Sequence, residues 1–499
     1  MNSAAQLRPE LLLGSNPFLE ALPPPITFAA LPQALPRSAF SDLPVWAIEP
    51  AMRESLIETV DTHFVATSPI LEPASGIQIL LRRALVMRNP INRSEQIRVN
   101  RIGIATNKDE VTRQATLDGA GMMLSGMTAS GKSAVLHRSL ELYAPEQVID
   151  FGNSEACGWY RLKQCVYLYV DHPSNGTRGG LLKRILLQLD AALGTDYFEQ
   201  HKRTVNLDAL QVVVCKLLTL HRVAILVVDE KQEKNFADSP WALEFVLFYL
   251  TLMNLGISVV LAGNPLAFEH LHPFSQVMRR FSTGGKHELE PATPSDRWWT
   301  RDFVPSARKA NLVEHWHIEE AERAELEFQH SGGLPGFYMA LHKEVMRQAL
   351  RRGGKEAIVT AKDFASAVVS PRYIEIKKIA LSISAVNDQS LGEYVDIPPL
   401  HQKRRASLQA SPKLPVMLPE VEIARVTRLL TNFKTRQTKV LNTEIKRVKM
   451  LQSLDPEDTR MLGITDDLLA SMEGFKTATD AAKDKRAKPG QKINKDDAP

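Results

Sequence analysis

Residues 126–133 read Gly126-Met-Thr-Ala-Ser-Gly-Lys-Ser133, and this stretch decides the fold because it is a complete phosphate-binding loop. Gly126 and Gly131 let the backbone curl so that its N–H groups point at a phosphate. The Lys132 ammonium reaches the β- and γ-phosphates, and the Ser133 hydroxyl is a ligand for Mg²⁺. The sequence therefore predicts that ATP and Mg²⁺ are bound by Gly126, Met127, Thr128, Ala129, Ser130, Gly131, Lys132 and Ser133.

The residues on both sides of the loop fit this interpretation. An apolar run at 121–125 predicts a short strand before the loop, and residues 133–140 have the composition of a helix. The helix N-terminus would then face the phosphates with its positive end. A fortuitous glycine-rich turn is the alternative, and the motifs that follow along the chain argue against it.

An acid pair ends the most apolar stretch of the chain, His221-Arg-Val-Ala-Ile-Leu-Val-Val-Asp-Glu230. The unbroken apolar run 223–228 predicts a central parallel strand that is covered on both faces. Asp229 at its end would help to hold Mg²⁺, and Glu230 would polarise the attacking water as a general base. Two acids that open a surface turn are the alternative reading.

A further strand, predicted at 256–264, ends in Asn264. Its side chain would position the lytic water, although a helix cap or turn former is the competing interpretation. Residues 165–170 supply one more strand between the loop and the acid pair. Strands that alternate with helices in this order predict an α/β fold, a parallel sheet flanked by helices.

The composition of the 499 residues limits the possible function. With 44% hydrophobic and 24% charged residues, the chain is typical of a soluble protein of two to four structural units. It has neither a run of 18 apolar residues nor a secretory signal, so we expect no membrane association. Cys157, Cys165 and Cys215 lack metal-binding or disulfide spacing, which suits the cytoplasm. The net charge is only +4, but residues 401–450 carry twelve Lys or Arg against three Glu, which indicates a polyanionic or acidic partner.

Composition also predicts four regions. Residues 1–100 form an N-terminal region. Nine of the thirty prolines fall within residues 1–50, so we expect this segment to lie extended over another surface. A helix is predicted after it, at 51–63. Residues 101–291 form the nucleotide-binding core. Residues 292–375 are helical, with a break at Ser331-Gly-Gly-Leu-Pro-Gly336 and a helix at 337–350. Residues 376–499 form a basic C-terminal region with a helix at 374–391, a linker at 398–419, a long helix at 420–450 and a disordered tail from Lys476.

Several motifs resemble those of the TnsC/TniB group of AAA+ ATPases, regulators of transposons such as the Tn-seven type. The similar stretches are Asn16-Pro-Phe-Leu-Glu-Ala-Leu-Pro-Pro24, Val166-Tyr-Leu-Tyr-Val-Asp-His-Pro173, Leu189-Asp-Ala-Ala-Leu-Gly194, Leu226-Val-Val-Asp-Glu-Lys-Gln232 and Leu451-Gln-Ser-Leu-Asp-Pro-Glu-Asp458. One departure is Lys231, where the family usually has an apolar residue. The resemblance implies an AAA+ core with a helical lid at 292–375.

The resemblance also implies a function in DNA transposition. Members of this group are ATPases that assemble on double-stranded target DNA as a homo-oligomeric ring or filament when ATP is bound. They link a target-selection protein of the TnsD or TniQ type to transposase subunits of the TnsA and TnsB type, and ATP hydrolysis ends the assembly. A bacterial cytoplasmic location near the nucleoid follows.

The resemblance further implies an arginine that reaches the ATP of a neighbouring subunit. Arg279 and Arg280 lie after the Asn264 strand, where such a residue belongs, although two solvated surface arginines are the alternative. The lid break carries no arginine after its proline, which departs from many AAA+ lids, and Lys343 and Arg347 are only weak substitutes for a lid sensor.

Candidate DNA contacts are Lys183, Arg184, Lys202 and Arg203, in the region that lines the channel of DNA-bound AAA+ rings. Contacts to phosphates need only their positive charge, but ordinary solvated helix faces explain them equally well. The basic segment 403–449 is expected to dock transposase subunits, with nonspecific DNA binding as its competing role.

Two other functions remain open. The same core would serve a helicase loader or an origin-binding ATPase, although no winged-helix domain is evident after the lid. A nucleotide-gated DNA-binding scaffold with little hydrolysis is the second alternative, because Lys231 directly follows Glu230.

Overall fold

The computed structural model of the protein describes residues 12, 14–40, 43–173, 176–231, 242–265, 268 and 275–385. The chain divides into two compact units, residues 1–405 and 406–499, and every described residue belongs to the first. The predicted linker, the predicted helix at 420–450 and the tail therefore lie outside the described residues.

Nine strands are described. They are β1 (Gly121–Gly126), β2 (Val148–Phe151), β3 (Leu162–Cys165), β4 (Tyr167–Asp171), β5 (Ile225–Lys231), β6 (Ser258–Gly263), β7 (Lys286–Leu289), β8 (His315–Trp316) and β9 (Ile358–Val359).

The described α-helices are α1 (Pro17–Glu20), α2 (Leu31–Ala34), α3 (Pro50–Ser55), α4 (Ser68–Met87), α5 (Arg93–Ile104), α6 (Lys108–Gln114), α7 (Lys132–Tyr143), α8 (Arg178–Leu193), α9 (Tyr197–His201), α10 (Leu207–Leu220), α11 (Ala242–Asn254), α12 (Ser275–Phe281), α13 (Val304–Ala307), α14 (Glu320–Ser331), α15 (Pro335–Gly353), α16 (Ala361–Ala367) and α17 (Ile374–Ser384). In the part of the chain that the structure covers, no helix has both the length and the apolar character needed to cross a bilayer.

A five-stranded sheet forms the centre of the first unit, in the order β4-β5-β6-β1-β7. All neighbouring strands run parallel. The predicted α/β fold with a parallel sheet flanked by helices is confirmed. The strand predicted at 165–170 forms at the sheet edge as β4, whereas β6 is the strand that separates the loop strand β1 from the acid strand β5.

Helices cover both faces of this sheet because successive side chains of each strand point to opposite sides. In β5, Leu226 and Val228 pack into the core that contains α8, α10 and α11. Ile225 and Val227 face the other core, which contains α4 and α7. The unbroken apolar run of this strand is thus buried on both sides, as predicted. The antiparallel hairpin of β2 and β3 lies outside the main sheet.

The N-terminal region contacts both the core and the lid. The helices described within residues 14–63 are short, as the proline content of residues 1–50 predicts, and the helix expected at 51–63 divides into α3 and a 3₁₀ helix, Ile57–Thr62. Phe18, Leu19 and Leu35 are buried in the core beside α4 and α7. Ile57 and Val60 are buried against the lid.

The lid region is mainly helical, as predicted, and it also contains the parallel pair β8 and β9. A π-helical turn, Trp298–Phe303, leads from the core into the lid. The helix predicted at 337–350 is present as α15, and the helix predicted at 374–391 is described from Ile374 to Ser384.

Candidate nucleotide-binding site

The phosphate loop connects the C-terminal end of β1 to the N-terminus of α7. Gly131 caps the helix with φ +96°, a conformation that favours glycine, and Ala129 has φ +66°. A Cβ atom on Gly126 would lie 2.5 Å from Ser130 Oγ and 2.9 Å from the Leu289 carbonyl oxygen. The loop is therefore tightly curled, as its two fixed glycines predict.

The Lys132 side chain folds over this loop. Its Nζ donates hydrogen bonds to the carbonyl oxygens of Gly126 and Met127, each at 2.8 Å. The ammonium is thus held at the mouth of the loop, beside the N-terminus of α7. A cation and a helix N-terminus at one place favour a bound phosphate.

Ser133 and Asp229 meet although they are far apart in the sequence. Ser133 Oγ donates to Asp229 Oδ2 at 2.6 Å, and Asp229 is only 2% exposed. The Tyr169 hydroxyl donates to the same carboxylate oxygen. A hydroxyl and a carboxylate at the phosphate loop are hard oxygen donors, the type that Mg²⁺ prefers, so these residues fit a nucleotide-bound magnesium ion.

The strand register brings the remaining catalytic candidates to the same edge of the sheet. Ser125 aligns with Gly263, and Gly263 aligns with Lys231. Asn264, which follows β6, is buried at this edge. The backbone of Glu230 belongs to β5, next to a register shift between Val228 and Lys231, whereas its side chain lies outside the described part. Irregular strands of this kind are common beside active sites.

Arg279 and Arg280 lie at the opposite edge of the sheet, at the end of α12. Both face Asp118, with N–O distances of 3.7 and 4.0 Å. Asp118 precedes β1, whereas the phosphate loop follows it, and a strand of six residues spans roughly 20 Å. The structure therefore does not bring these arginines to the loop of their own chain. Arg279 is 74% exposed and Arg280 is 17% exposed.

The four candidate DNA contacts lie on α8 and around the end of α9. Lys183 and Arg184 are half-buried on α8, and Arg184 Nη1 donates to the Asp171 carbonyl oxygen at 3.3 Å. Lys202 is exposed and ion-paired with Glu199. Arg203 is also exposed. The two helices adjoin through Asp190, whose carboxylate accepts hydrogen bonds from the first residues of α9.

The lid contacts the phosphate loop directly, which the sequence did not predict. The Gly336 N–H donates to the Ala129 carbonyl oxygen at 2.8 Å. A small apolar cluster around it joins the loop residue Met127 to Leu334 and Phe337 of the lid and to Ala380 and Ile383 of α17. The one available signal was the glycine in the predicted break, because a residue that touches a backbone closely has to be small.

Lys343 and Arg347, the candidate lid sensors, are engaged elsewhere. Lys343 pairs with Glu58 at 2.9 Å and with Asp61 at 2.6 Å. Arg347 pairs with Glu344 and Glu58, each at 2.5 Å. Acids of the N-terminal region therefore pair with both of these cations. The sequence could not reveal this, since the partners are more than 280 residues away.

Comparisons with known proteins support the resemblance. A family model described as the bacterial TniB protein matches residues 109–289. This range contains the phosphate loop, Asp229, Glu230, Asn264 and both candidate arginines. The resemblance to the TnsC/TniB group is thereby confirmed over the core. Among curated proteins, no sequence matches this chain.

Three solved structures illustrate what this chain is similar to in three dimensions. The Orc1 protein of Aeropyrum pernix, solved with DNA, is 16% identical, with 73% of this chain and 87% of that chain covered and a TM-score of 0.35. Cdc6p from Pyrobaculum aerophilum is 12% identical, with 58% and 78% covered and a TM-score of 0.34. The ADP form of the Aeropyrum pernix Orc2 protein is 13% identical, with 74% and 95% covered and a TM-score of 0.38.

Proposed function

We propose that this protein is an ATP-dependent regulator of DNA transposition. In this proposal it oligomerises on target DNA with ATP bound and links a target-selection protein to a transposase, and ATP hydrolysis drives its release. The observation that carries the proposal is that a complete phosphate loop and the paired Ser133 and Asp229 lie inside the range that matches the TniB family.

Hydrolysis follows from the residues at the C-terminal edge of the sheet. Lys132 and the loop N–H groups bind the phosphates, and Ser133 and Asp229 hold Mg²⁺. The ion, when bound, neutralises charge that develops on the phosphate oxygens. Glu230 accepts a proton from the attacking water, and Asn264 orients that water. Asn264 follows β6, the strand next to the loop strand, and Glu230 lies on β5, one strand further away; their place at the loop end of the sheet supports these roles.

Assembly follows from the placement of Arg279. Its guanidinium is exposed and lies at the sheet edge opposite its own phosphate loop. It therefore serves the ATP of a neighbouring subunit, where it stabilises transition-state charge. Arg280 is more buried, which favours Arg279 as the catalytic residue and Arg280 as its support. The site is complete only in an oligomer, a ring or a filament.

DNA binding is assigned to Lys183, Arg184, Lys202 and Arg203, on adjoining helices of the core. Their contacts are to phosphates, so sequence preference is low. The basic segment 403–449 outside the described residues docks transposase subunits of the TnsA and TnsB type, and a TnsD- or TniQ-type protein selects the target.

The four regions predicted from composition take part in this scheme. The N-terminal region 1–100 braces the core 101–291 and the lid 292–375, and the C-terminal region 376–499 meets the partners. The protein acts in the bacterial cytoplasm, at the nucleoid.

A DNA-binding assay tests the proposal. Binding of a fluorescent duplex is measured by anisotropy with ATP, with ADP and without nucleotide, over a range of salt concentrations. We expect tight binding only with ATP, and a steep loss of affinity with salt. Equal affinity with ATP and ADP would contradict nucleotide-controlled assembly.

Two altered chains locate the DNA contacts in the same assay. Replacing Lys183, Arg184, Lys202 and Arg203 with alanine should weaken binding and lower the salt slope by about 0.9 for each phosphate that is no longer neutralised. A charge-matched control replaces the exposed Arg297, Arg301, Lys309 and Lys362. Deleting residues 401–499 should preserve binding but abolish transposition. If this deletion removes most of the affinity and the salt slope, the C-terminal segment binds the DNA instead.

A further inference from the structure

Tyr169 on β4 contacts the centre of the candidate site but has no role in the scheme above. Its hydroxyl donates to Asp229 Oδ2, the oxygen that also accepts from Ser133 Oγ at 2.6 Å. β4 and β5 are parallel and in register, with Asp171 opposite Asp229, so Tyr169 starts two residues before that level. Its ring therefore extends along the sheet toward the carboxylate.

The Tyr169 ring is held from its other side by α7. The imidazole of His137 stacks on it, with 4.1 Å between ring centroids and 22° between ring planes. His137 follows Ser133 by four residues, so both lie on one face of α7. The Tyr169 ring is thus fixed between α7, which carries Ser133, and the Asp229 carboxylate of β5.

Tyr169 can act here only as a donor. The Asp229 carboxylate oxygen is an acceptor, so the Tyr169 hydroxyl is the donor of this hydrogen bond. Ser133 is exposed, but Asp229 is buried, so the carboxylate needs nearby donors to fix its orientation.

We propose that Tyr169 is a positioning residue that holds the Asp229 carboxylate against Ser133 and thereby sets the affinity of the site for magnesium. This inference rests on the proposed nucleotide-binding function. Residues that orient metal-binding groups typically change metal affinity by about 10–100-fold when they are removed. The expected consequence is a change in Mg²⁺ dependence, not in the binding of the nucleotide itself.

The test is a magnesium titration of nucleotide binding to the full-length protein, followed with a fluorescent ATP analogue. For Tyr169→Phe we expect the half-saturating Mg²⁺ concentration to rise about tenfold. Affinity measured in EDTA should stay unchanged. The matched control is Tyr167→Phe, two residues earlier on the same strand, whose half-buried hydroxyl has no hydrogen-bond partner among the described residues. This control should behave as the wild type.

The outcomes separate the inference from the proposed function. If Tyr169→Phe and Tyr167→Phe respond to Mg²⁺ alike, or if Tyr169→Phe also loses affinity in EDTA, the positioning role is wrong. If the wild type binds no nucleotide or ignores Mg²⁺, the proposed function itself fails. His137 is exposed, and His137→Ala removes only its stacking on the Tyr169 ring. This variant should also raise the half-saturating Mg²⁺ concentration, but by less than Tyr169→Phe does. Should Tyr169→Phe not fold, an unshifted His137→Ala would overturn the inference.

Discussion

At the scale of single residues, the phosphate loop depends on two glycines for different reasons. Gly131 is needed for its backbone angle, φ +96°, and space around it is open. Gly126 is needed for space, because Ser130 and the Leu289 backbone approach it closely. The two positions are fixed in the motif by separate physical requirements.

Gly126→Ala should therefore weaken ATP binding. The new methyl group would press on Ser130 Oγ and on the Leu289 carbonyl, and such overpacking costs about 1–3 kcal/mol. If this cost destabilises the conformation of the loop that binds nucleotide, the affinity for ATP falls by about tenfold to a hundredfold. Calorimetric titration measures it. Gly152→Ala is the control, since its Cβ would meet nothing within 4 Å. Equal affinities for the two variants would refute the close-packed loop.

Arg279 and Arg280 should differ in what they contribute. Arg279→Ala should lower ATP turnover by about 10³-fold, the lower end for arginines that act on a transferring phosphoryl group, and leave nucleotide affinity unchanged. Arg280→Ala should mainly lower the melting temperature, since this side chain is largely buried. Arg301→Ala, an exposed arginine near the lid, is the control. A wild-type turnover for Arg279→Ala would remove this residue from the catalytic account.

At the scale of elements, the start of α15 touches the phosphate loop. A Cβ atom on Gly336 would lie 2.9 Å from Ala129 Cβ and 3.0 Å from both the Ala129 Cα and its carbonyl oxygen. This contact places the lid directly on the loop that binds phosphate.

Gly336→Ala should push α15 away from the loop and reduce ATP affinity. The helix itself should not suffer, because alanine is a better helix former than glycine. Gly353→Ala at the other end of α15 is the matched control, with its nearest contact at 3.4 Å. Binding of a fluorescent ATP analogue and melting temperatures are measured together. Unchanged affinity in Gly336→Ala would show that lid and loop are independent.

A row of basic side chains on α15 and the turn after it pairs with acids of the N-terminal region. Lys343, Arg347, Arg351 and Lys355 follow one another at intervals of four residues, and their partners are Glu49, Glu54, Glu58 and Asp61. The hydrogen bond from Lys343 lowers the pKa of Glu58 and outweighs burial, which acts to raise it. The contribution of Glu58 is therefore present at neutral pH and is lost as the pH falls through its lowered pKa.

Arg347 is the most buried member of this row, so its loss should matter most. Arg347→Met leaves Glu344, which is 2% exposed, without its cation, and breaking a buried pair costs about 3–5 kcal/mol. Arg351→Met, at a position with 47% exposure, should cost no more than about 1 kcal/mol. Urea unfolding followed by fluorescence compares the two. Equal losses would show that burial does not control the strength of these pairs.

At the scale of the whole molecule, the sequence was sufficient to predict a structural element wherever neighbouring residues determine that element. Neighbouring residues specify the phosphate loop, the strand before Asp229 and the helix predicted at 337–350, and the structure contains all three. Contacts between segments that are distant in the sequence were not predicted. The packing of Phe18 against the core, the contact of Gly336 with Ala129 and the hydrogen bond from Tyr169 to Asp229 depend on tertiary packing, which periodicity does not encode.

The proposed division of the site between subunits depends on tertiary structure in the same way. The sequence places Arg279 and Arg280 after Asn264 along the chain, but it does not show at which edge of the sheet they lie. Their proximity to Asp118, before β1, places them at the edge of the sheet that faces away from their own loop. A single chain is therefore expected to be a poor ATPase.

The most direct test of the central claim is ATP turnover measured against protein concentration, with duplex DNA present. We expect turnover per chain to rise with protein concentration. Lys132→Ala should lose ATP binding, whereas Glu230→Gln should bind ATP but not hydrolyse it. A wild-type rate for Glu230→Gln, or a turnover per chain that is the same at every concentration, would contradict an AAA+ ATPase whose site is completed by a neighbouring subunit.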